Sequence, residues 1–366
     1  MILLYIFLSS SAILLFYYGF YFARIAFYSR KKQASDRPEG VSVIVCAHDE
    51  EENLKHLLPR LYEQEYPEFE IIIVNDRSND GTYDLLREES KNQPLLKPVH
   101  VEHTPEHING KKYGITLGVK AAKYDLLLFT DADCFPASKQ WISEMASEVT
   151  DKTQFVLGFS PYEKKSGFLN LFIRFETLLT AFQYLSFGLA KSPYMGVGRN
   201  MAYRKSFFLA QKGFNHMQHI MGGDDDLFVN LHAKGNNTQV VIGEKSMVYS
   251  IPKKTWSEYF VQKKRHLAVG KLYRFRDKLR LGIFQLATLL HWVSAVGFTV
   301  IVQDWYILGA TLFVKWTVWL SIWAVGTKKM GTRFPWGFLP ILEFVYCLYF
   351  LVFGTTALFA KKIKWK

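Results

Sequence analysis

The sequence predicts an α/β domain with a mostly parallel, Rossmann-like sheet, inserted between apolar helices near both ends of the chain. Three observations carry this. Met1 to Phe27 and most of Gly282 to Ala360 are almost wholly apolar, and a membrane-spanning helix needs about 20 such residues. Between them, strand-like apolar runs alternate with amphipathic helical runs, the signature of a parallel sheet. Three of those strand-like runs lead directly into aspartates.

On this reading the 366 residues divide into an N-terminal anchor at 1–29, an α/β domain at 36–280 and C-terminal helices at 281–366. The first segment lacks a charged start and a small-residue cleavage site, so it reads as a retained anchor. Arg30, Lys31 and Lys32 follow it. The positive-inside rule then puts the domain on the cytoplasmic side of the inner membrane.

At the other end the expected spans are Gly282 to Val302, Trp305 to Val325 and Trp336 to Ala360. Gln303-Asp304 would form an external turn, and Lys328, Lys329 and Arg333 an internal loop. Three full spans leave Lys361, Lys362, Lys364 and Lys366 outside, against the rule. The alternative is two spans plus an interfacial or re-entrant segment, with Lys315, Pro340 and Glu343 marking the last two runs for that part.

The net charge of +12 fits juxtamembrane basic residues facing anionic membrane lipids. No basic stripe with interleaved aromatics stands out in the central domain, which argues against nucleic acid as a partner. Cys46, Cys134 and Cys347 show no metal or disulfide spacing, in keeping with a reducing compartment.

Within the domain, Val41 to Cys46 reads as a buried strand. It runs into a helix with Leu54, Leu57, Leu58 and Leu61 on its apolar side, and the acidic start at Asp49 to Glu52 suits the helix dipole. Glu70 to Val74 is a second strand, closing on Asp76. Asp80 is assigned to capping or turning into the helix Thr82 to Glu89, whereas Asp76 has no such task. Leu126 to Thr130 is a third strand, followed by Asp131 and Asp133. On extended backbone, residues two apart project the same way.

The resulting βαβαβ series gathers Asp49, Asp76 and the Asp131/Asp133 pair at one sheet edge, where ligands of open α/β sheets bind. Paired carboxylates call for a positive partner, and a divalent metal carrying a phosphate is the common one. Lys111 and Lys112 lie either on a solvated helix face or within reach of that phosphate. The aromatic run Phe168, Phe172, Phe175, Phe182, Tyr184 and Phe187, with Tyr259-Phe260, is read first as core and second as a bilayer-facing surface.

The residues Val43 to Glu51, Val74 to Thr82 and Thr130 to Asp133 resemble the family 2 glycosyltransferases, whose nucleotide-sugar domain has the GT-A fold. Further on, Gly198 to Arg204 is similar to the family's acceptor-side segment, Gly222 to Leu227 to its acidic catalytic-base motif, and Gln262 to His266 to the Gln-x-x-Arg-Trp motif of membrane-embedded members. The resemblance covers about Val41 to His266, in the family's order.

It implies that Asp49 and Asp76 bind the base and ribose of a nucleoside-diphosphate sugar, a UDP-linked donor being favoured. It implies Mg2+ or Mn2+ on Asp133, with Asp131 beside it on the ribose or on metal-bound water. Lys111 and Arg265 would address the diphosphate, and Glu51, Asn200 and Gln262 are further substrate-binding candidates. The general base is Asp224 or Asp225, depending on which family form is aligned, with Asp224 preferred. His266 stands where processive members carry Trp, and Asp49 where many carry Asn.

The expected activity is an inverting transfer of a sugar to a lipid or lipid-linked acceptor hydroxyl. Alternatives are a processive polysaccharide synthase, a sugar nucleotidyltransferase, and a non-catalytic membrane protein with an acidic divalent-ion site.

Overall fold

The computed structural model describes residues 1–30, 39–301 and 304–359. Lys31, Lys32, Val302, Gln303 and the tail from Ala360, with its lysines, lie outside them. Helix α1 (Ile2–Phe16) continues through a π-helical stretch, Tyr17–Phe22, into α2 (Ala23–Ala26). The α/β domain then begins with β1 (Val41–Ala47), α3 (Glu51–Tyr62), β2 (Phe69–Asp76), α4 (Thr82–Asn92), β3 (Leu96–Val101), α5 (Gly110–Ala121) and β4 (Leu126–Phe129). The second half brings β5 (Cys134–Pro136), α6 (Trp141–Ala146), β6 (Phe155–Leu157), α7 (Phe168–Leu189), β7 (Met201–Arg204) and α8 (Lys205–Ala210). It ends with α9 (Asp226–His232), β8 (Thr238–Val240), β9 (Val248–Ser250) and α10 (Trp256–Gly270). The C-terminal helices are α11 (Phe275–Ile301), α12 (Trp305–Lys329) and α13 (Leu339–Phe359).

The main sheet runs β3-β2-β1-β4-β7-β6-β8, with β5 and β9 forming a separate ribbon. β1, β2, β3 and β4 are parallel, and β7 is antiparallel to both β4 and β6. Alternation along the strands explains the two faces. Val41, Val43 and Val45 pack with the leucines of α3, whereas Ile44, Ile72 and Val74 pack with α5 and α7.

The expected βαβαβ series is corrected to one strand more. β3 escaped the sequence reading because it is an edge strand with Lys97, Pro98 and His100 inside it. An edge strand tolerates proline and polar residues that a central one does not.

The aromatic run is core: Phe172, Phe175, Phe182, Tyr184 and Phe187 are buried, and Phe168 alone of the six is half exposed. That core does not stop at the α/β domain. Phe182 stacks on Trp323 of α12 at 5.1 Å and Tyr18 of the N-terminal helix on Trp319 at 4.4 Å. Tyr259 is buried, and Phe260 stacks on Phe353 of α13 at 4.1 Å. Ile2–Ala26, α11, α12 and the stretch Trp336–Gly354 are each long and apolar enough to cross a membrane. Lys315 and Glu343, suspect from sequence, pair with each other at 2.5 Å across α12 and α13.

Candidate functional site

The parallel register brings the ends of β1, β2 and β4 to one edge, with Ala47 beside Asn75 and Ile44 beside Phe129. The loops that leave this edge are tied to one another. The Asn79 amide donates to Asp49 Oδ1 at 2.6 Å, the Glu51 amide to Asp80 Oδ2 at 3.1 Å and the Gly81 amide to Glu51 Oε2 at 3.2 Å. Asp80 also accepts from the Thr82 amide at 3.0 Å, the capping task read for it. Glu51 is thus engaged with a backbone amide and with Lys55 at 2.8 Å, while the Asp49 side chain remains 45% exposed. Asp76, at the end of β2, holds Arg77 Nε at 2.7 Å.

The extended geometry expected for Asp131 and Asp133 is corrected: Ala132 and Asp133 form a turn, closed by the Cys134 amide on the Asp131 carbonyl at 3.2 Å. The turn still converges the side chains. Ligand atoms of Asp131, Asp133 and Cys134 lie within 4.8 Å of one another. The spacing of the cysteines gave no sign of this third group. Its thiol, pushed well above its usual range by burial and then by the two aspartates, stays protonated and points toward Asp133 Oδ1 at 3.4 Å. The two carboxylates are the oxygen donors a hard divalent cation prefers, so the set fits Mg2+ or Mn2+.

Lys111 stands on α5, whose close approach to the sheet depends on a glycine. A Cβ at Gly118 would lie 2.9 Å from Ile44 Cγ2 and 3.0 Å from Val74 Cγ2. Lys111 Nζ reaches Asp131 Oδ1 at 3.1 Å and Asp224 Oδ2 at 3.3 Å, so one ammonium bridges the two acidic motifs. Burial opposes that charge, but Asp131, Asp224 and Asp225 outweigh it and hold Lys111 protonated. Asp131 is likewise disfavoured by burial, yet Lys111, Arg199 and Arg265 keep its carboxyl below the usual range. Asp133 goes the other way, raised by burial and by the charge of Asp131.

Lys112 has neither role considered for it. It is buried and donates to the Gly222 carbonyl at 2.6 Å, pinning the loop that carries Asp224.

The three consecutive aspartates have different partners. Asp225 caps α9 and accepts from the Gly198 amide at 2.7 Å. Asp226 accepts the Tyr273 hydroxyl at 2.6 Å. Asp224, 9% exposed, pairs with Lys111 in the wall of a small open cavity that Cys46, Asp131, Gly198 and Asp225 also line.

Asn200 does not reach this cavity. It is wholly buried, accepting from Trp141 Nε1 at 3.0 Å and donating to the Phe159 and Ser246 carbonyls at 2.7 and 2.8 Å, so its amide is used up in the core. Gln262 lies 3.4 Å from the Tyr162 hydroxyl, and the charge of Arg265 acts on Asp131. Sequence reasoning passed over Arg199, whose charge acts on both Asp131 and Asp133. Its only sequence signal was its place between Gly198 and Asn200.

Known proteins are similar to this chain in sequence and in fold. Residues 42–210 match the family model described as glycosyl transferase family 2. Poly-beta-1,6-N-acetyl-D-glucosamine synthase of Staphylococcus epidermidis is 34% identical over 102 residues, which are 28% of this chain and 24% of the relative. A probable glycosyltransferase of Bacillus subtilis, YdaM, is 26% identical over 236 residues, covering 62% of this chain and 54% of the relative. The chain therefore spans about a quarter of the first relatives it matches and about half of the second.

Among solved structures, a mannosyltransferase from Pyrobaculum calidifontis, in complex with GDP-Man and Mn2+, has a TM-score of 0.58 at 17% identity. The likeness covers 90% of this chain and 98% of that one, and it concerns the fold. With its acidic sheet edge and mostly parallel sheet, the chain has a GT-A fold, and residues 42–210 within it are similar to glycosyl transferase family 2.

Proposed function

We propose that the protein is a membrane-anchored inverting glycosyltransferase, moving a sugar from a nucleoside-diphosphate donor to the hydroxyl of a lipid or lipid-linked acceptor. The observation that carries this reading is Lys111 bridging Asp131 and Asp224, because it puts the donor-side and base-side acids on one cavity. UDP is the favoured nucleotide, with Asp49 and Asp76 on the base and ribose. Asp133, with Asp131 beside it, would hold Mg2+ or Mn2+. When bound, that ion would neutralise charge developing on the leaving diphosphate.

Asp224 is the general base in this reading, since Asp225 and Asp226 are engaged by backbone amides and Tyr273. It would take the acceptor hydroxyl proton as that oxygen attacks the anomeric carbon, and Lys111 would orient it meanwhile. A single displacement of this kind inverts the anomeric centre. Arg265 and Gln262, on a helix packed against α13, are assigned to the diphosphate and acceptor side. The apolar helices support an acceptor delivered from the membrane, and the basic flank at Arg30 supports a cytoplasmic face at the inner membrane.

A processive polysaccharide synthase is the second reading, favoured by the staphylococcal relative's name. Membranes containing the full chain, given radiolabelled nucleotide sugars and Mn2+, separate the two. Label in an extractable lipid of discrete size is the expected result. Label confined to long polymer would overturn the single-transfer reading.

A further inference from the structure

Arg199 lies in a short 3-10 turn, Gly198–Asn200, between a residue that lines the cavity and one locked in the core. Its guanidinium stacks over the Tyr162 ring, with Cζ 4.5 Å from the centroid. Tyr162 bridges to Ser250, and Ser250 pairs with Cys134, next to Asp133. The backbone thus seats Arg199 on the wall where the acidic turn begins. Nη1 is out of contact with solvent and meets no hydrogen-bond acceptor among the described residues.

A buried guanidinium nitrogen without an acceptor is costly, and more so because the group is charged. Tyr162 supplies a π face but no acceptor aimed along that N–H. A guanidinium next to an acidic cation site is the arrangement that takes a phosphate, with the cation on one oxygen and the planar N–H fork on others.

We propose that Arg199 is a phosphate-binding residue of this site, acting from the Tyr162 wall while Lys111 acts from α5. This rests on the glycosyltransferase reading and deepens it. The phosphate belongs either to the diphosphate of the donor or to a phosphorylated lipid acceptor, and both present the same oxygens to the same nitrogen.

The test compares the full-length wild type with Arg199→Gln and Arg199→Lys in detergent. The probes are UDP and GDP with Mn2+, their nucleosides, dodecyl phosphate and dodecanol. Arg199→Gln should bind a phosphate-bearing probe about 10- to 100-fold more weakly, with nucleoside and dodecanol binding unchanged and part of the loss recovered in Arg199→Lys. Loss on UDP or GDP assigns the donor diphosphate, and loss on dodecyl phosphate assigns the acceptor.

Wild-type affinity of Arg199→Gln for every phosphate probe would overturn this inference alone. A wild type that binds no phosphate probe would overturn the glycosyltransferase reading with it. If Arg199→Gln does not fold, Arg199→Lys decides: unchanged affinity for all phosphate probes overturns the role of the planar fork.

Discussion

Two lysines of this protein sit among carboxylates in opposite ways. Lys315, on α12, is wholly buried and meets one partner, Glu343 on α13, with the Trp316 ring 4.0 Å from its Nζ. Lys111 is 30% exposed and meets Asp131 and Asp224, with Asp133 and Asp225 close behind. The first pair is balanced, so two helices otherwise fit for lipid can carry charge between them. The second is unbalanced: Lys111, with Arg199 and Arg265 acting on the same group, faces four aspartates. A cation with a phosphate-bearing ligand would complete it, and its access to water is what lets them enter. Buried charge that closes on itself holds a fold, whereas charge left over at a cavity marks a site.

The sharpest way to break that contrast is to remove one acid from the unbalanced group. Asp224→Asn should lower transfer by about 10²- to 10⁴-fold, the span attributed to a positioned base, and Asp133→Asn should lower it by weakening the hold on the cation, while melting behaviour stays near that of wild type in both. Initial rates with labelled donor, read beside thermal unfolding in detergent, check it. Full activity in both variants would favour a non-catalytic acidic site.

The balanced pair should respond the other way, in stability. Lys315→Met leaves Glu343 buried and alone, at a cost of about 3–5 kcal/mol. Replacing both, Lys315→Met with Glu343→Leu, should restore most of that loss. Denaturant unfolding of the three proteins measures it, and a double variant no better than the single one would show that the ion pair is not the cause. Lys111→Met is the matching change at the site. It should cost less than Lys315→Met, because water reaches the ammonium and Asp131 even though Asp224 is buried, and should act on donor affinity and on the orientation of Asp224.

The same contrast separates what could be read in the sequence from what could not. Asp49, Asp76 and Asp131 were legible because strand, helix and strand repeat locally and put strand ends on one edge. The burial of the aromatic run was legible from its spacing, but its partners Trp319 and Trp323 lie more than a hundred residues away. Asn200 looked like a site residue by its motif. Trp141, Phe159 and Ser246, which use up its amide, come from three separate segments that no local pattern connects. The edge strand Leu96–Val101 was hidden because its polar residues are the ones an edge permits. Arg199 carried only its place in the Gly198 to Arg204 motif, since stacking on Tyr162 and a buried Nη1 without an acceptor among the described residues are properties of the folded chain.

The smallest expected effect lies at the seam between the two regions. Tyr273, just before α11, donates to Asp226, the last acid of the Asp224–Asp226 run, and Asp277 in α11 accepts from Asn230 of α9 at 3.1 Å. Burial and then the charge of Asp225 push the Asp226 carboxyl up to about 8. The folded chain therefore keeps a proton that the unfolded chain releases near pH 4. The stabilisation from that proton is complete below about pH 4 and is lost as pH rises through about 8. Asp226→Asn removes the titration but retains an acceptor for Tyr273. Its melting temperature should fall less than that of wild type between pH 6 and 9, by about 2–4 °C. Parallel curves for the two proteins would mean that Asp226 is ionised in the folded chain, and that the loop bearing Asp224 is not held to α11 by a shared proton.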